Sequence, residues 1–95
     1  MPWPSKRLGS TTSSVVRISG KADSEGVLIR VGVAIRERRQ QLGMSQEALA
    51  DAARLDRSHM GKVERGERNV TVLNLVRIAV ALRSSLSDLI QSSDL

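Results

Sequence analysis

From residue 27 onward the apolar residues recur at helical rather than alternating spacing. Val31, Ala34, Ile35 and Leu42 predict a first helix over Val27 to Gln41, ended by Gly43, a residue tolerant of positive φ. Ser45 can cap a second helix starting at Gln46, whose inner side is Leu49 and Ala53. Ala48, Ala50 and Ala52 keep that helix narrow enough for close approach. Asp56 is placed to cap a third helix. There Met60 and Val63 fall on one side, while Arg57, Ser58, Gly61, Lys62 and Arg65 fill an opposite arc of about 140°. Thr71 caps a fourth helix, with Val70 and Leu75 as a hydrophobic staple and Leu75, Ile78, Ala79 and Leu82 as the inner stripe. Ser85 and Asp88 resemble a capping box for a short fifth helix through Ile90, with Leu86 closing the core. The pattern predicts an all-α chain of five helices.

Residues 1–25 show no sustained period and mix Pro, Gly, Ser and Thr with scattered basic residues, which reads as a flexible N-terminal arm. Val15 to Ile18 is the one stretch that could form a short strand, pairing with its copy in a dimer. Lys6, Arg7, Arg17 and Lys21 either touch phosphates or a minor groove or belong to a solvated tail. The domain expected to fold covers residues 26–92, with a tail at 93–95.

Ninety-five residues allow one small domain, for which dimerisation would add stability. Charge then sharpens the picture. The net charge is +5, and the positive charge gathers in residues 30–39, with four Arg and one Glu, and in residues 54–68, with five basic and three acidic side chains. That distribution suits a polyanionic partner. Cysteine is absent and the single histidine cannot make a metal site alone, so no metal or other cofactor is expected. No apolar run is long enough to cross a membrane, and the N-terminus lacks the apolar stretch of a secretory signal, so a cytoplasmic setting is expected. Trp3 is the only aromatic residue, which argues against the stacking platforms of single-strand binders. No acid/base or nucleophile constellation is apparent, so catalytic residues are not assigned and an enzyme is not expected.

The segments IRERRQQLGMSQEALA, LDRSHMGKVERGER and LNLVRIAVAL together resemble the helix-turn-helix of the phage repressor and Cro type, the xenobiotic-response-element-like regulators, from about Val31 to Ile90. LDRSHMGKVERGERN is most similar to the recognition region of restriction-modification controller proteins. The resemblance implies a five-helix repressor-like DNA-binding domain with its helix-turn-helix at residues 45–65. It implies base reading in the major groove by Arg57, Ser58, His59 and Lys62, with Arg57 foremost, although Arg57 on phosphate and a partly packed His59 are alternatives. Gln46, at the start of the second helix, matches a residue that binds a DNA phosphate, and Arg65, Arg68 and Asn69 surround the loop expected to touch the backbone. Arg39 matches an arginine that pairs with Glu64 as a clamp between the first and third helices. Two departures stand out: Arg54 and Arg83 occupy turn positions where relatives have glycine, at a cost of roughly 1 to 2 kcal/mol if the backbone is left-handed. A third is Arg38, where leucine is usual.

The expected function is that of a sequence-specific regulator of transcription that binds double-stranded DNA, as a homodimer on an inverted repeat, controlling its own promoter. Leu89, Ile90 and Leu95 are the expected dimer contact, and RNA polymerase is a further partner if the protein activates. The alternative is an antitoxin whose main partner is a toxin protein.

Overall fold

The computed structural model describes Asp23 and residues 25–95, and its first helix is capped from within the stretch expected to be arm. Both carboxylate oxygens of Asp23 accept backbone N–H groups, from Val27 at 2.9 Å and Leu28 at 2.7 Å. Two of the free amides of the first turn are thereby satisfied. The strand considered for Val15 to Ile18, and the four basic residues of the arm, lie outside the described residues.

Five helices follow in order: α1 (Val27–Gln41), α2 (Gln46–Ala53), α3 (Arg57–Glu64), α4 (Val72–Ala81) and α5 (Leu86–Ser92). Among the described residues there is no strand. Three N-termini are closed as their sequences predict. The Ser45, Thr71 and Ser85 hydroxyls accept from the N–H groups of Ala48, Asn74 and Asp88 at 3.0, 3.1 and 3.1 Å. Asp56 differs: it has the extended backbone of a cap, but its side chain accepts no capping hydrogen bond.

The helix ends repeat one device. After α1, α2, α3 and α4 the chain enters the left-handed region at Gly43, Arg54, Gly66 and Arg83, with φ of 69°, 61°, 75° and 58°. Each time the next N–H reaches back to a carbonyl five residues earlier, as in Leu55 to Ala50 at 2.8 Å and Ser84 to Ala79 at 2.9 Å. The two arginines therefore adopt the conformation that glycine adopts without penalty.

Packing puts α1 against α3 and α5, α2 against α3 and α4, and α4 against α5. Ile35, Leu49, Met60, Val63, Ile78 and Leu82 are fully buried at the centre, each contributing about 1.5 to 3 kcal/mol of transfer free energy. Val70 and Leu75, the expected staple, pack on its edge. Leu86 is half-buried and outside the core, which is closed instead by Leu89 at 3% exposure. The assignment of Leu89 to a dimer contact is corrected accordingly: on α5 it is Leu89 that faces the protein's own core.

One close helix approach was not anticipated. A methyl group at Gly32 would meet the carbonyl oxygens of Glu64 and Val63, the latter at 2.7 Å. This glycine, buried in the middle of α1, lets the C-terminus of α3 lie directly against the α1 backbone. The helix-propensity cost of about 1 kcal/mol there is offset by the contact.

Candidate nucleic-acid interface

Burial divides α3 lengthwise. Met60, Gly61, Val63 and Glu64 are buried, Arg57, Ser58 and Arg65 are exposed, and His59 and Lys62 are intermediate. Met60 and Val63 follow the apolar spacing, whereas Gly61, expected in the opposite arc, is buried too.

The inward end of α3 is tied by Glu64, whose side chain is 2% exposed. It accepts from Arg39 Nε at 2.7 Å and Nη2 at 3.0 Å, and from Gln46 Nε2 at 3.0 Å. The remaining guanidinium nitrogen of Arg39, Nη1, donates to the Met44 carbonyl at 2.9 Å. One carboxylate thus joins α1, the turn before α2, the start of α2 and the end of α3. The buried charge is met by a bidentate cation and a neutral donor, as such groups require.

Gln46 is therefore engaged within the protein through an N–H expected to be available to a phosphate, although Nε2 carries a second hydrogen. Its Oε1 lies 3.4 Å from where a Cβ on Gly61 would stand, and Arg65 Nη1 lies 3.3 Å from the same point. The missing side chain of Gly61 leaves room for both polar groups over the middle of α3.

At the outer end, Arg57 among the described residues reaches only to Glu47, at 4.0 Å, with 70% and 66% of the two side chains exposed. Such a contact is worth under about 1 kcal/mol and leaves the guanidinium free to bind elsewhere. Ser58 stands beside it and Lys62 lies one turn on. His59 departs from expectation: its Nε2 is buried and has no hydrogen-bond partner among the described residues. That nitrogen is turned away from solvent, while Arg57 and Ser58 are exposed and Lys62 is half-exposed.

Beyond α3, Arg65 pairs with Glu67 through Nε at 2.9 Å and Nη2 at 3.3 Å. The hydrogen bond from Arg65 holds the Glu67 carboxyl below its usual pKa, with Lys62 and Arg68 adding to the effect. The same bond raises the pKa of Arg65. Arg68 and Asn69 are exposed on the loop that follows. No pairing with this basic face was expected of Glu47 or Glu67, its acidic partners. Their positions gave a faint signal, Glu67 standing two residues from Arg65 in a turn. Among the described residues no cluster of side chains could hold a metal ion, and no helix is long and apolar enough to cross a membrane.

Comparison with known proteins places this geometry. A helix-turn-helix family model matches residues 35–89. Control protein C.SmaI of Serratia marcescens is 43% identical over 56 residues, which span 59% of this chain and 67% of that one. Control protein C.MunI of Mycoplasma sp is 36% identical over 64 residues, spanning 66% and 86%. The crystal structure of the restriction-modification controller protein C.AhdI from Aeromonas hydrophila is similar with a TM-score of 0.64 and 45% identity, covering 65% of this chain and 94% of that one.

Proposed function

The chain belongs to the helix-turn-helix family of the XRE type and is similar to restriction-modification controller proteins, and on that premise we propose that it is a homodimeric transcriptional regulator of an inverted-repeat operator. Each protomer places α3 in one major groove, the two grooves lying about 34 Å apart. Arg57 donates to a guanine, Ser58 and Lys62 contact neighbouring base edges, and Gln46, Arg65, Arg68 and Asn69 take backbone phosphates. The observation that supports this most is the division of α3: its inward end is tied on three sides by Glu64, while Arg57 and Ser58 stand exposed at its start.

With Leu89 in the core, the dimer contact falls to Ile90, Leu95 and the outer face of α4. Val72, Val76 and Val80 recur there at one-turn spacing beside Leu73, all exposed. An apolar stripe of this kind on a small basic domain suits a second copy of itself.

Titration onto the DNA upstream of its own gene, against a scrambled duplex of equal length, tests the reading. A preference of about 10³-fold or more supports autoregulation. Equal binding to both duplexes would place the operator elsewhere, and absence of binding to either would end the proposal.

A further inference from the structure

The loop after α3 sets a carboxylate on an otherwise basic face. Glu67 occupies Nε and Nη2 of Arg65, the edge of the guanidinium that receives a carboxylate or phosphate in two parallel hydrogen bonds. Both side chains are more than half exposed, at 56% and 53%, so water and other anions have access to the pair. The third nitrogen, Nη1, lies over Gly61, which keeps the guanidinium against the outer surface of α3 instead of reaching away from it. Lys62 and Arg68 stand near enough to stabilise the Glu67 carboxylate, and neither makes a salt bridge among the described residues. A single acidic group is thus held by one cation through two hydrogen bonds, with two more cations acting on it through space.

We infer that Glu67 is an internal stand-in for a DNA phosphate, holding Arg65 over α3 in the free protein and yielding it to the duplex backbone on binding. The inference rests on the proposed DNA-binding reading and adds a residue that sets affinity for any duplex. Phosphate contacts carry no sequence information. An internal competitor for one of them therefore weakens specific and non-specific binding by the same factor. It lowers the protein's hold on bulk DNA without altering the ratio by which it prefers its site.

The test is a double-mutant cycle on the full chain, using Glu67→Gln, Arg65→Ala and the double variant. Each is titrated at several salt concentrations onto the upstream duplex and its scrambled counterpart. Glu67→Gln keeps the shape and removes the charge. Affinity for both duplexes is expected to rise by about two- to fivefold for each protomer that binds, the range spanned by exposed ion pairs. In the Arg65→Ala background the gain disappears, because the carboxylate acts through Arg65. A loss of affinity in Glu67→Gln would overturn the inference and make Glu67 a support that orients Arg65. Unchanged affinity, an equal gain with Arg65 absent, or a gain on one duplex alone would also overturn it. A wild-type protein that binds neither duplex would remove the DNA-binding reading and the inference together.

Discussion

The two ends of α3 are built on opposite terms. At its C-terminus Glu64 is enclosed, receives three side-chain hydrogen bonds and lies against Gly32 of α1, where no Cβ could be accommodated. At its N-terminus Asp56 makes no capping bond, Arg57 extends into solvent and the nearest acidic group is 4.0 Å away. A helix that must present side chains to a rigid duplex needs its axis fixed and its reading groups unengaged. One end supplies the first property and the other end the second. The difference also separates two kinds of variant, those that unfold the domain and those that leave it folded but unable to read DNA.

The largest effect is expected at the anchored end. Glu64→Ala leaves Arg39 partly buried without its partner and should cost about 3 to 5 kcal/mol, measurable by urea denaturation. A loss under about 1 kcal/mol would show that the clamp is solvated and that burial alone positions α3. At the turn leading into the reading end, Arg54→Gly removes a side chain from a residue at φ 61°. It should stabilise the domain by about 1 to 2 kcal/mol, raising the Tm by at least about 4 °C for a domain of this size. A lower Tm would mean that Arg54 makes a contact worth more than the strain. The smallest effect compares two caps. Ser45→Ala should cost about 1 kcal/mol because a real hydrogen bond is lost, whereas Asp56→Ala should cost under about 0.5 kcal/mol. Equal losses would erase the asymmetry between the N-termini of α2 and α3.

Much of this was legible along the chain because it is local. The bounds of α1, the caps Ser45, Thr71 and Ser85, and the inward placement of Met60, Val63 and Ile78 follow from spacing and side-chain type within one or two turns. The Arg39 and Glu64 pair came from resemblance, since residues twenty-five positions apart announce no contact. What was missed depends on three-dimensional approach. Gly32 looks like a weak point of a helix until α3 is laid across it. Asp23 caps α1 across an intervening turn, from a stretch without periodicity. On α5, two turns long, Leu86 and Leu89 are both apolar, and only the direction from which α1 and α4 approach decides that Leu89 turns inward. His59, by contrast, sits at the border of the two faces and is partly packed, one of the two alternatives its position left open.

The most direct measurement is the ratio of affinities for the upstream and scrambled duplexes in Arg57→Ala, taken with its Tm beside that of the wild type. The account predicts an unchanged Tm and a ratio reduced by about thirtyfold or more, the worth of two guanine contacts, one per protomer, of about 1 to 3 kcal/mol each. Equal weakening on both duplexes, with the ratio preserved, would contradict it and make Arg57 one more phosphate contact.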